Sequence, residues 1–143
     1  MILFDTNILV YSRNQDDKRC WICREWIQKS EKKIITGILS SQNLVEFTSV
    51  SLKLAKINQK DSIDRIQEYL RFLQSDAFSI IYPNEGTIQI FNNLLKKYAS
   101  SPRRVFDLFL VATMLSHHVR KILTFNAKDY ASFPEIQIIS PKN

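Results

Sequence analysis

Ile2-Leu3-Phe4-Asp5-Thr6-Asn7 is the stretch whose reading decides the fold. Three consecutive apolar residues do not make the alternating strand of a sheet with one wet face. They read as a short central strand buried on both sides, as in a parallel sheet covered by helices. Asp5, Thr6 and Asn7 follow at its carboxyl end, and all three are turn and capping residues. Ile8-Leu9-Val10-Tyr11 then reads as a short helix that they cap. In open α/β sheets, sites gather outside the carboxyl ends of strands. Asp5 is therefore either a plain N-cap or the first residue of a site.

The same alternation runs down the chain. Helical spacing over Arg19 to Lys29 turns Trp21 or Ile22, Trp26 and Ile27 inward. Ile34-Ile35-Thr36 and Ile38-Leu39 bracket Gly37 as a second strand. Ser40-Ser41 is an N-cap signal for a helix to about Lys56, with Leu44, Phe47, Val50 or Ser51, and Leu54 inside. Asp61 to Gln74 is expected to be helical, burying Ile63, Ile66, Tyr69 or Leu70, and Leu73. Phe78 to Tyr82 is a strand, and Glu85 to Ala99 a helix with Ile88, Phe91, Leu94 or Leu95, and Tyr98 on its apolar face. Ser100-Ser101-Pro102 places Pro at the first position of a further helix, which His117 and His118 close. Ile122-Leu123-Thr124 and Ile136 to Ile139 are the last strands. This pattern predicts one domain over residues 1–143, a three-layer α/β/α sandwich around a mostly parallel sheet.

A chain of 143 residues, 45% hydrophobic, can bury a real core. Its net charge of +6 favours a polyanionic partner. With two glycines, neither Gly-rich phosphate-binding motif is present. Cys20 and Cys23 have no second C-x-x-C or His pair to complete a zinc site, and read as small buried residues. The N-terminus reaches an acid after four residues, unlike a signal peptide, and no apolar stretch is long enough to span a bilayer. A cytoplasmic protein with reduced thiols is expected.

Asp107 is the residue that composition does not explain. It stands alone in Arg104-Val105-Phe106-Asp107-Leu108-Phe109-Leu110-Val111-Ala112, where an unpaired carboxylate costs roughly several kcal/mol. Glu46 sits next to the inner face of its own helix, in the second turn, as Asp107 does in its helix. Asp5 and Asn126 each follow a short apolar strand. If both helices start on one side of the sheet, these groups meet in one cleft. Carboxylates without matching His or Cys suit a hard cation, Mg²⁺ or Mn²⁺. With a basic chain, metal-assisted phosphodiester cleavage is the chemistry they fit.

Four stretches also resemble the motifs of PIN-domain ribonucleases: Met1 to Tyr11, Ser41 to Phe47, Phe106 to Ala112, and Leu123 to Tyr130. The compact chain looks most like VapC-type toxins of toxin–antitoxin pairs. The resemblance implies an endoribonuclease that cuts single-stranded RNA or tRNA with Mg²⁺ or Mn²⁺. It implies a homodimer, blocked by an antitoxin whose C-terminal segment enters the active-site groove. By motif, Asp5, Glu46 and Asp107 would be the acidic ligands. Where many members have Asp, this chain has Asn126, with Asp129 three residues on, which leaves one-metal and two-metal chemistry open. Thr6 and Thr124 would hydrogen-bond the carboxylates, or only cap turns. Arg103 and Arg104, in a first turn that disfavours cations, would hold RNA phosphate beside Asp107, and Lys128 would extend the basic rim. Two rivals stand beside this reading. A phosphoacceptor domain of the receiver or haloacid-dehalogenase type is disfavoured by Asn7, which stands where a second acid belongs. A PIN-like module that binds RNA or protein without cutting predicts loss of the acids, and the three main ones are present.

Overall fold

The structure, a computed structural model, describes residues 1–58, 61–98 and 101–142. The elements in order are β1 (Ile2–Phe4), α1 (Thr6–Arg13), α2 (Cys20–Glu31), β2 (Gly37–Ser40), α3 (Ser41–Asn58) and α4 (Ile63–Leu73). There follow β3 (Ser79–Ile81), α5 (Glu85–Tyr98), α6 (Arg104–Ser116), β4 (Lys121–Leu123), α7 (Ala127–Tyr130) and β5 (Gln137–Ile139). The strands form one sheet in the order β3-β2-β1-β4-β5, and every pair is parallel. Leu3 stands opposite Ile38 on one side and Ile122 on the other.

Strand periodicity explains the unbroken apolar runs. Successive residues point to opposite faces, so β1 sends Leu3 into one core cluster and Phe4 into the other. Ile38 and Leu39 divide in the same way, as do Ile122 and Leu123. The Phe4 cluster is closed by residues of α1 to α4, and the Leu3 cluster by α5, α6 and Tyr130 of α7. With strands of three or four residues, the ladder contributes few hydrogen bonds. Burial carries the sheet, at roughly 1.5–3 kcal/mol for each fully buried Leu or Phe.

From β1 the chain winds outward through β2 to β3, then returns to lay β4 on the other edge of β1. That reversal opens a crevice at the carboxyl ends of β1 and β4, the place where open α/β sheets take ligands. The order also differs from the 2-1-3-4-5 winding of receiver-type domains.

Several local expectations are corrected. Asp5 holds the N-cap position of α1, but its side chain makes no capping bond. β2 begins at Gly37, and Ile34 lies outside it, exposed. Ile22 rather than Trp21 is the buried residue of α2, and Trp26 is half-buried. Leu54, Ile63 and Ile88 are exposed, because no element covers their part of each helix. Pro102 does not open α6; it lies in a turn whose carbonyl accepts from the Val105 N–H. α6 begins at Arg104, which puts Asp107 in the first turn and not the second. α6 also stops before His118, which takes the left-handed conformation at φ 58°. Ala99 and Ser100, which carried the end of one expected helix and the cap of the next, lie outside the described residues, as does Asn143.

Gly37 is needed for close approach. Its N–H donates to Ser30 Oγ at 3.1 Å, Ser30 Oγ donates to the Ala77 carbonyl at 2.5 Å, and a Cβ on Gly37 would lie 2.8 Å from the Phe78 ring. Gly37→Ala should therefore lower stability by about 1–3 kcal/mol, the usual range for overpacking. The readout is a lower urea midpoint at unchanged slope. Gly86→Ala is the control, since an added Cβ there meets nothing closer than Asn84 Oδ1 at 3.4 Å. Equal midpoints for the two variants would refute the packing account.

Candidate active site

The site is built on the seam between β1 and β4. The Asp5 N–H donates to the Leu123 carbonyl at 3.0 Å, extending the ladder by one residue. The Asp5 side chain, 7% exposed, turns across that seam. Thr124 Oγ1 and Asn7 Nδ2 both donate to Asp5 Oδ2, each at 2.6 Å. Thr124 Oγ1 in turn accepts from Asn7 Nδ2 at 3.1 Å and from the Asn126 N–H at 2.9 Å. Asp5 thus clasps the ends of two strands as well as facing the cleft.

Glu46 projects from the second turn of α3, and that turn is fixed by a reciprocal cap. Ser40 Oγ accepts from the Asn43 N–H at 3.2 Å, while Asn43 Oδ1 accepts from the Ser40 N–H at 2.9 Å. This is the capping-box geometry with Asn in place of Glu. Asn43 Nδ2 donates onward to Thr6 Oγ1 at 3.2 Å, and Thr6 Oγ1 donates to Glu46 Oε2 at 2.8 Å. Gln42 Nε2 holds the other oxygen, Glu46 Oε1, at 2.8 Å. It also donates to the Phe106 carbonyl at 3.1 Å, joining α3 to the residue before Asp107.

These elements enclose a cleft of about 450 Å³ lined by Asp5, Glu46, Asp107, Asn126 and Asp129, together with Thr6, Asn7, Gln42, Tyr11 and Tyr130. The expected acids come together. The basic residues are placed differently. Arg103 and Lys128 are exposed and do not line the cleft. Arg104 is braced along α7 and the segment after it: its Nη2 donates to Ser132 Oγ at 2.5 Å and to the Asp129 carbonyl at 3.2 Å, with the guanidinium 5.1 Å from the Phe133 ring centre. Asn7, Gln42, Asn43 and Tyr130 went without a site role in the sequence. Two of them had a local signal: Gln42 stands four residues before Glu46, and Asn43 three after Ser40.

Burial and neighbouring charge raise two of the carboxyls, Asp5 and Asp107. Asp5 is pushed up from its ordinary 3.8 to about 6, chiefly by burial. Its bonds from Thr124 and the Thr6 N–H oppose that rise, and the charges of Glu46 and Asp107 add to it. Asp107 also rises to about 6, by burial first and then by Asp129, with Arg104 pulling the other way. Burial and all four acids push the Tyr130 hydroxyl well above its usual range. Among the described residues, no Lys or Arg closes an ion pair with these acids; pairs such as Arg13–Asp61, Arg19–Asp17, Lys29–Glu25 and Lys97–Glu135 lie elsewhere.

An all-oxygen donor set with crowded, desolvated carboxylates and no cationic partner has the chemistry of a hard-dication site. Among the described residues, no three His, Cys, Asp or Glu side chains form a ready cage.

The PIN domain family model matches residues 2–136. No curated protein sequence matches the chain. Among solved structures, it is similar to VapBC2 from Rickettsia felis bound to a promoter DNA fragment, at 19% identity and TM-score 0.70, covering 98% of each chain. It is similar to VapC20 of Mycobacterium tuberculosis, a sarcin–ricin loop cleaving toxin, at 14% identity and TM-score 0.67, covering 95% of this chain and 98% of that one. It is also similar to FitAcB from Neisseria gonorrhoeae, at 18% identity and TM-score 0.66, over 99% and 98%. At these identities the neighbours speak for the fold, and the match across nearly the whole chain speaks for the family. The acidic cleft at the reversal of the sheet is thus set in a chain that belongs to the PIN domain family.

Proposed function

We propose that this protein is a metal-dependent endoribonuclease that hydrolyses phosphodiester bonds of single-stranded RNA or tRNA, and that it is the toxin of a toxin–antitoxin pair. The observation that carries the reading is the meeting of Asp5, Glu46, Asp107 and Asp129 in one cleft of a PIN fold. The RNA-cleaving VapC20 and the toxin–antitoxin complexes of the same fold support the substrate class and the partner. In this reading the protein works in the cytoplasm as a homodimer and is silenced by its antitoxin.

Asp5 and Asp107 are the proposed ligands of Mg²⁺ or Mn²⁺, directly or through water, with Glu46 completing the set. The bound ion supplies Lewis-acid polarisation of the phosphoryl oxygen. Glu46, with each oxygen already fixed by Thr6 or Gln42, is aimed to orient the attacking water or take its proton. Thr124 holds Asp5 in place, as Thr6 holds Glu46. Asn126 contributes no negative charge, and Asp129, beside Asp107, is the fourth acid. Arg103, Arg104 and Lys128 are kept for the phosphates outside the cleft, with Arg104 acting from its braced position.

Asp107→Asn should abolish cleavage of a mixed tRNA and single-stranded RNA pool, where the parent protein cuts with Mg²⁺ or Mn²⁺ and not with EDTA. The variant should keep the parent's thermal midpoint or exceed it, because one crowded charge is gone. Full activity in Asp107→Asn would sink the assignment.

The carboxyl shifts also set a pH dependence. A raised acid pKa means that the folded chain binds protons more tightly than the unfolded one. Metal-free stability should therefore fall as pH rises from about 4 to about 6, the window between the ordinary and shifted values of Asp5 and Asp107, and stay low above it. Asp17, held near 2 by Arg19, acts in the opposite sense but below this window. Added Mn²⁺ should raise the thermal midpoint strongly at pH 7.5 and little at pH 5, where protons hold the same oxygens. A midpoint that climbs with pH across the window in EDTA would contradict the electrostatic account.

A further inference from the structure

Tyr11 lies in the last turns of α1 and lines the cleft together with the four acids. The Arg19 guanidinium is stacked over its ring, with Cζ 3.5 Å from the ring centre. Phe125 meets the same ring edge-on, at 5.6 Å between centres and 66° between planes. The stack is held from behind. Asp17 Oδ1 accepts from Arg19 Nε at 2.8 Å and Oδ2 accepts from Nη2 at 2.6 Å, so the guanidinium cannot swing away cheaply. Phe125 is fixed in turn by its place between Thr124, which grips Asp5, and Asn126 on the cleft wall.

None of the catalytic chemistry proposed above uses this cluster, and core packing does not call for its arginine. The Arg19 side chain is 36% exposed, so the stack stands at the surface and not in the core. No Lys or Arg is among the described residues that line the cleft. Its interior carries four acids and no ion-paired cation among the described residues. An RNA strand entering there can be gripped at its bases without adding phosphate charge to the acids. Aromatic rings and arginine planes are the surfaces on which unpaired bases stack.

We propose that Tyr11, backed by Arg19 and Phe125, is a nucleobase platform that holds an unpaired base next to the phosphate to be cut. The proposal rests on the RNA-cleaving reading and names a contact within it. A platform of this kind takes only a base that can leave its stack, so it selects single-stranded segments and loops over duplex.

The test uses the Asp107→Asn protein, so that RNA stays intact, and a fluorescent single-stranded oligonucleotide. Adding Tyr11→Leu should weaken binding roughly tenfold, within the range that one base stack contributes. Adding Tyr11→Phe should leave binding within about twofold, since the stacking face is kept. An oligonucleotide scanned with single abasic sites should show one position whose loss weakens binding to the Tyr11 protein and has no further effect with Tyr11→Leu. The abasic scan on the Tyr11 protein alone decides the matter if Tyr11→Leu does not fold: no sensitive position overturns the platform. Equal binding by the Tyr11 and Tyr11→Leu proteins also overturns it, and would leave the stack to rim packing or to a peptide partner. If the Asp107→Asn protein binds no RNA, and the parent protein cuts none, the nuclease reading itself fails and the platform falls with it.

Discussion

The structure depends on one buried charge held across a seam. Asp5 stands where the sheet changes direction, with β2 on one side of β1 and β4 on the other. The two strands diverge toward helices on the sheet's two faces, and their carboxyl ends would present open backbone to the cleft. Two short hydrogen bonds to one oxygen of Asp5, from Thr124 and Asn7, close that gap. An unmatched carboxylate at this depth costs several kcal/mol, roughly. The donors offset part of that cost, and burial still pushes the group up to about 6. The clasp therefore gives geometric definition at the expense of a charge that the fold alone does not neutralise.

The two halves of the cleft meet this problem differently. Asp5 and Glu46 are scaffolded: a chain of donors runs from Ser40 and Asn43 through Thr6 to Glu46, and a second runs from the Asn126 N–H through Thr124 to Asp5. Asp107 and Asp129 accept no hydrogen bond on their carboxylates from the described residues, and each sees the other's charge. Gln42 joins the halves, because its amide touches both Glu46 and the carbonyl before Asp107. The scaffolded half fixes where a charge stands. In the other half Asp107 is crowded by Asp129 and Glu46 and relieved in part by Arg104. A satisfied polar network is rigid, and in the scaffolded half Gln42 Oε1 is the buried side-chain atom left without a hydrogen-bond partner among the described residues. A cation that enters such a cleft meets preorganised oxygens on one side and repelling ones on the other, and relieves both.

What was legible in the sequence was local. β1 declared itself through three apolar residues, α3 through Ser40, and the site through a single acid in the apolar run around Asp107. Helix ends were less legible because the usual glycine was absent. α2 and α6 each end with a residue at φ 58°, Lys33 and His118. In each case the next N–H reaches back five residues, Ile34 to Lys29 and Val119 to Met114, as in the motif that Gly normally supplies. Helical periodicity found the stripes that hold Leu54, Ile63 and Ile88 but could not say whether a neighbour covers them, and all three are exposed. The site was legible as a set of acids and not as a network. Thr6 and Glu46 are forty residues apart, and Asp5 and Thr124 far more, so no spacing rule pairs them. Arg104 was read by its charge, yet its position is set by Ser132 and Phe133, which no periodicity connects to it.

The chain's net charge and the cleft's charge have opposite signs, and distance decides which one a polyanion meets. The net +6 acts on an approaching strand from outside. At physiological ionic strength the Debye length is about 8 Å, so that attraction would bring a polyanion to the surface and fade within a short distance of any given point. Inside the cleft the nearest charges are Asp5, Glu46, Asp107 and Asp129. In the proposed reading a phosphate would be drawn in only where a dication reversed the local sign, and the rest of the strand would be held by groups that do not depend on charge. Long-range attraction without sequence preference, a cation-gated centre and an uncharged grip beside it are three separable demands. Asp5, Glu46 and Asp107 answer the second, and the ring of Tyr11 is placed to answer the third.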